Sequence, residues 1–180
     1  MYRYVTDVSK LSHYIIREFC INFNIAVDAT LGNGHDSDFL GENFSKVYAF
    51  DIQKQAIDKY KEKNKSNVCL INDSHENFDE YIKEKVDCIM YNLGFLPGGD
   101  KEITTKWQST LRSLETGLDV LEKGALVTIA IYRGHEEGKK EEEVVLNYVK
   151  NLPKNKYGVI VHSFLNRDNN PPLLVVIEKK

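Results

Sequence analysis

Cys88-Ile89-Met90-Tyr91-Asn92-Leu93-Gly94-Phe95-Leu96-Pro97-Gly98-Gly99-Asp100-Lys101 decides how this chain is read. Its first four residues form an unbroken apolar run, the pattern of a short strand covered on both faces. An Asn then ends the run, and two glycines and a proline shape the next turn around something other than a core. Open α/β sheets bind ligands just beyond the carboxyl ends of their strands, which places candidate chemistry at Asn92. Gly-Gly-Asp is also common turn chemistry, so the segment alone fits an ordinary loop equally well.

Working outward, three runs of the same kind precede it: Ile25 to Ala29, Val47 to Phe50 and Val68 to Ile71. The highly charged Lys54 to Lys65, with Ile57 and Tyr60 three apart, predicts a solvated helix between the second and third. Upstream, Val8, Leu11, Tyr14, Ile15 and Phe19 recur at helical spacing behind Asp7 and Ser9, predicting an amphipathic N-terminal helix. Downstream, Leu111, Leu114, Leu118 and Leu121 mark a helix over Thr105 to Leu121, with Gly124 as its stop signal. Ala125 to Tyr132 reads as a fifth strand, and Lys139 to Lys150 as a helix whose charge run is a solvated surface. The β-prone runs Val159 to Leu165 and Leu173 to Glu178 are joined by a linker too short for a helical crossover, so they should pair antiparallel. The alternation predicts an α/β fold with a mostly parallel seven-stranded sheet, a terminal antiparallel hairpin and helices on both faces.

A chain of 180 residues with 42% apolar and 28% charged residues is expected to form a single domain over 1–180. A formal net charge of −3 excludes gripping nucleic acid through overall charge, leaving only local basic patches. No basic start leads into an apolar leader, and no stretch reaches the roughly 20 apolar residues of a membrane span, so a cytoplasmic protein is expected. Cys20, Cys69 and Cys88 sit singly in apolar patterns, predicting buried, reduced thiols and no metal site.

Asp28-Ala29-Thr30-Leu31-Gly32-Asn33-Gly34-His35-Asp36 joins the first strand to the next helix, and its glycines let backbone amides approach a ligand at a helix N-terminus. A dinucleotide fold is the natural rival, but Ser37 stands where its third glycine belongs, and Asp36 would set a carboxylate beside a pyrophosphate. A ligand with an ammonium and a carboxylate but no phosphate, such as S-adenosylmethionine, meets no such repulsion. Asp51 ends the second strand where a carboxylate accepts from both ribose hydroxyls of an adenosine. Asn72-Asp73-Ser74-His75 ends the third, where Asp73 can accept from an adenine amine, while Asp73 or Ser74 can equally serve as a helix N-cap.

Polar residues at four successive strand ends, followed by an antiparallel hairpin, look like a Rossmann-like class I methyltransferase. Within that class the glycine loop, Phe50-Asp51-Ile52-Gln53, Ser74-His75, the Asn92 to Lys101 motif and Tyr132-Arg133-Gly134-His135-Glu136-Glu137-Gly138 closely resemble one family. It was formerly described as rRNA methylases and is now assigned as tRNA 5-aminomethyl-2-thiouridine methyltransferases acting at the wobble position. The resemblance covers nearly the whole chain, including Phe164-Leu165-Asn166 and Pro171-Pro172, and departs from it at Leu31 and Arg133.

The resemblance implies that S-adenosylmethionine is held by Asp28, Thr30, Asn33, Gly34, His35, Asp36, Asp51, Ile52, Gln53, Asp73, Ser74, His75 and Asn92. It further implies that Asn92, with the Leu93 and Gly94 backbone, presents acceptors to a substrate amine, and that Asp100 is a carboxylate able to take its proton. Phe95, Tyr132 and Trp107 are candidates to stack on a flipped uridine, with a core role favoured for Trp107. Lys101, Lys106, Arg112, Arg133, Lys139 and Lys140 are candidates for a rim that holds the tRNA anticodon arm. His135 either shuttles the amine's proton or contacts a substrate phosphate, or it caps the following helix, and His13 and His162 receive no functional role. A homodimer is plausible for so small an RNA enzyme. The competing readings are a methyltransferase for rRNA, a small molecule or a protein, and a non-catalytic S-adenosylmethionine-binding module.

Overall fold

The computed structural model describes residues 2, 4–94 and 104–180. Asp7 opens the first helix, α1 (Val8–Phe19), by accepting from the Lys10 backbone N–H at 2.8 Å. Strands β1 (Ile25–Asp28), β2 (Lys46–Phe50), β3 (Val68–Ile71), β4 (Val86–Leu93) and β5 (Leu121–Ile131) follow in turn. Between them lie α2 (His35–Asn43), α3 (Lys54–Lys61), a short 3-10 turn at His75–Asn77 running into α4 (Phe78–Tyr81), and α5 (Trp107–Val120). Helix α6 (Glu136–Lys150) and strands β6 (Tyr157–His162) and β7 (Leu173–Lys179) complete the chain. One seven-stranded sheet results, in the order β3-β2-β1-β4-β5-β7-β6. β1 to β5 are mutually parallel, and β7 pairs antiparallel with both β5 and β6. The sheet is therefore the expected one.

Alternating side chains of the central strands feed two cores, because successive strand residues point to opposite faces. Ala26, Cys88 and Leu126 pack with Ile16, Leu40 and Phe44 of the α1–α2 layer. Val27, Ile89 and Val127 pack on the other face with Phe78, Leu114 and Val145 of the α4–α5–α6 layer. With both faces covered, a strand has no solvent side to mark with polar residues, which is why the runs read as continuously apolar.

Four local expectations are corrected. β4 extends two residues past Tyr91, so Asn92 and Leu93 belong to the strand and pair with Ala130 and Ile131. Gly124, at φ +75°, does not stop α5, which ends at Val120; it lies inside β5, where the register against β4 shifts and where an added Cβ would stand 2.4 Å from Ile21. Cys20 and Cys88 are buried, but Cys69 is exposed. The charge run of α6 is not wholly solvated, because Glu141 is 1% exposed. Among the described residues no helix is long and apolar enough to cross a membrane.

Candidate active site

The strand order reverses between β1 and β4, and a cleft of about 780 Å³ opens at their carboxyl ends, the size of a small-molecule site. The loops after β1, β2, β3 and β4 line it, together with Tyr132 and the entry to α5.

Asp28 ends β1 fully buried and stays beneath the cleft surface. Its carboxylate accepts from the Thr30 backbone N–H at 3.0 Å and the Ser37 hydroxyl at 2.6 Å, so it fixes the glycine loop from below. Burial and the nearby Asp36 charge push its carboxyl up to about 7 against the pull of those two bonds. Gly32 (φ +51°) and Gly34 (φ +79°) adopt the left-handed backbone favoured by glycine, and a Cβ on Gly34 would stand 2.2 Å from the Tyr60 ring. Leu31 borders the cleft and packs with Ala49, Ile57 and Tyr60, which accommodates that departure. Thr30, Asn33, Gly34, His35 and Asp36 remain on the cleft wall.

Asp51, just after β2, accepts from the Gly32 N–H at 2.8 Å through one oxygen and from the Gln53 N–H at 2.8 Å through the other. Each oxygen keeps acceptor capacity toward the cleft, and burial raises the carboxyl from its ordinary value. Ile52 is 58% exposed and, with Gln53, flanks Asp51 on the cleft. Asp73 accepts from Ser74 N–H, Asn77 and Tyr81, at 2.7, 3.1 and 2.8 Å. Burial works to raise its carboxyl, but these bonds outweigh that and hold it below the usual range. Ser74 caps the 3-10 turn, so the capping role and the cleft position coexist at this loop.

His75 is buried, with Nδ1 2.9 Å from the Ala29 carbonyl, so that nitrogen carries the proton and donates. Burial lowers the ring's pKa, and Nε2 is then a buried acceptor with no hydrogen-bond partner among the described residues. Since a buried unpaired acceptor is costly, a ligand donor is the natural complement.

Asn92 projects at the end of β4. Its backbone N–H donates to the Thr30 hydroxyl at 2.8 Å, tying β4 to the glycine loop. Its side-chain Nδ2 donates to Asp36 and to Ser9 of α1, both at 3.2 Å. Gly94 (φ +139°) and Thr105 close the next segment, with Gly94 N–H donating to the Thr105 hydroxyl at 2.9 Å and Thr105 N–H to the Gly94 carbonyl at 3.0 Å. The Thr105 hydroxyl in turn donates to buried Glu141, which also accepts from Thr110. Phe95, Asp100 and Lys101 lie outside the described residues.

The remaining candidates separate. Tyr132 lines the cleft, and burial raises its phenol despite a hydrogen bond with Ser9. Lys106 also lines it, exposed. Arg133 does not: its guanidinium pairs with Glu142 at 2.8 Å and donates to the Pro171 carbonyl at 2.9 Å, tying the loop after β5 to the one before β7. His135 is the N-cap of α6, accepting from Gly138 N–H at 3.0 Å, and is off the cleft wall. Trp107 is half-buried at the start of α5 and does not line the cleft. Sequence reasoning missed Ser9 and His13, which reach Asn92 and Asp36 from α1, and Thr104, Thr105, Gln108 and Ser109 on the cleft wall. The available signal for Ser9 and His13 was a polar pair at i, i+4 flanking the apolar face of α1.

Comparison with known proteins places these features in context. Residues 47–178 match the sequence model of the family described as "Putative rRNA methylase". A tRNA (mnm(5)s(2)U34)-methyltransferase of Arabidopsis thaliana chloroplasts is 31% identical over 191 positions, covering 96% of this chain and 69% of that protein. A solved "putative rRNA-methylase" from Clostridium thermocellum superposes with a TM-score of 0.93 at 37% identity, covering 98% of this chain and 99% of its own. A "putative methyltransferase" from Streptococcus mutans, solved in complex with SAH, gives 0.90 at 39% identity with the same coverage.

Proposed function

We propose that this chain, which belongs to the family described as "Putative rRNA methylase" and is an S-adenosylmethionine-dependent methyltransferase, N-methylates the 5-aminomethyl group of 5-aminomethyl-2-thiouridine at the tRNA wobble position. All 180 residues act as one domain in this reading. The observation that carries it is the convergence on one cleft of Asp51, the glycine loop and Asn92 at the end of the fourth strand.

The donor and acceptor set fits S-adenosylmethionine. Asp51 keeps acceptor capacity for two ribose hydroxyls, and Ile52 offers an apolar surface to a base. The amides of the glycine loop suit a carboxylate, while Asp36 and His75 Nε2, which has no partner among the described residues, suit positively charged or amine donors and would oppose a pyrophosphate. Bound there, the cofactor supplies an electrophilic methyl on its sulfonium.

The protein's task is to hold a neutral amine in line with that methyl. Asn92 accepts from the amine through Oδ1 and so aims its lone pair, with no proton to remove in the transition state. With S-adenosylmethionine bound, nitrogen–methyl bond formation would be balanced by loss of the carbon–sulfur bond, whose electron pair would leave with SAH, and the amine's extra proton would pass to solvent. Tyr132, on the same cleft, supplies a ring for the flipped uridine. Lys106 supplies a cation toward the tRNA backbone.

Pairing of Arg133, Lys139 and Lys140 with Glu142, Glu136 and Glu137 reduces the basic rim expected for RNA, and this favours a small-molecule acceptor as the second reading. Replacing Asn92 by Ala tests the first. Turnover on tRNA bearing 5-aminomethyl-2-thiouridine should fall at least about tenfold while cofactor affinity stays within about threefold, below about 1 kcal/mol. Undiminished turnover would remove Asn92 from the chemistry, and an equal loss of cofactor affinity would make it a cofactor ligand only.

A further inference from the structure

An acceptor at the end of β4 works only if the Asn92 amide is held one way round, since its oxygen and nitrogen are nearly the same size and its flipped form offers donors to the substrate. Both hydrogens of Nδ2 are committed, to Asp36 Oδ2 and to Ser9 Oγ, each at 3.2 Å. The flipped amide would press Oδ1 against the Asp36 carboxylate, two acceptors with no hydrogen between them. Among the described residues no donor reaches Oδ1, and Asn92 lines the cleft.

Asp36 can impose this order only if it is itself fixed. Its other oxygen, Oδ1, lies 2.6 Å from His13 Nε2, which must carry a hydrogen to meet a carboxylate. The His13 ring stacks on Phe39 of α2, 4.0 Å between centroids and 5° from parallel, so its position is set by packing across the α1–α2 contact. Asp36 is 6% exposed, where a free carboxylate rotor would be expensive and a bonded one is held. His13 does not line the cleft.

We propose that His13 is a positioning residue for the methyl transfer: through Asp36, and with Ser9, it locks the Asn92 amide with its oxygen toward the substrate amine. The inference rests on the amine-methylating reading above, and it makes α1 part of the active site. Gln at position 13 can place an Nε2 hydrogen near the same point, whereas Ala cannot.

His13→Ala should lower kcat about tenfold or more, with KM for tRNA and cofactor Kd within about threefold, and His13→Gln should recover most of the loss. Equal losses in both variants, a change confined to KM, or an unchanged kcat would overturn the proposal. A second measurement needs no substrate: solvent exchange of the Asn92 side-chain amide protons by NMR, assigned with Asn92→Asp. Exchange should be slow in the native protein, faster in His13→Ala and slow again in His13→Gln. Unchanged exchange in a folded His13→Ala protein would overturn the proposal even if the native enzyme fails to methylate tRNA, a failure that would instead count against the substrate reading.

Discussion

Asp28, Asp36 and Asp51 bring three carboxylates to the glycine loop, and each is restrained by different partners. Asp28 has the clearest consequence for stability. Its folded pKa is raised, to about 7, above the ordinary carboxylate value of the unfolded chain. Between those values the folded protein holds a proton that the unfolded chain has released, so stability falls as pH rises through the window. Melting curves from pH 5 to 8 should show the native protein losing ground to Asp28→Asn, by at most about 1.4 kcal/mol per pH unit. A pH-independent difference between the two would mean that Asp28 is ionised throughout. At this scale the sequence revealed the residues whose position on the cleft follows from a strand end, Asp51 and Asn92. It concealed His13, because the polar pair it forms with Ser9 does not identify its partner Asp36, 23 residues away on another helix.

At the scale of elements, α6 does more than cover the sheet. Gly138, Glu141, Val145 and Val149 form its buried face, so Glu141 is distinguished from its acidic neighbours by helical phase alone. That phase was available in the sequence, but composition made the run look uniformly solvated. Glu141 accepts from Thr110 at 2.7 Å and from Thr105 at 2.8 Å, and burial raises its carboxyl despite these bonds. Through Thr105 it anchors Gly94, two residues beyond Asn92. Glu141→Ala should destabilise the fold by about 1–3 kcal/mol for each hydroxyl left without its acceptor, measured by urea denaturation. A loss below about 0.5 kcal/mol, the range of an ordinary surface change, would contradict this anchoring role. The strands were readable because burial on both faces leaves short apolar runs, whereas the helical turns at 75–81 were not, being too short to establish a period. The length of β4 was hidden by Asp87, a buried carboxylate that accepts from the Asn24 and Ile25 backbone N–H groups and interrupts the apolar pattern.

At the scale of the molecule, the reversal of strand order between β1 and β4 gathers the loops after β1, β2 and β3 and the Asn92 end of β4 onto one edge of the sheet. The antiparallel β5-β7-β6 arrangement lies to one side of this edge. With a formal net charge of −3, the proposed tRNA substrate would have to be held by local groups at this edge rather than by the field of the whole protein. The central claim, an amine on the wobble uridine as methyl acceptor, is tested most directly by mass spectrometry of nucleosides. The sample is tRNA carrying 5-aminomethyl-2-thiouridine, incubated with the purified protein and S-adenosylmethionine. The account predicts conversion of that nucleoside to a form one methyl group heavier on the aminomethyl nitrogen, dependent on the cofactor. A protein that binds S-adenosylmethionine yet leaves the nucleoside unmethylated would contradict it.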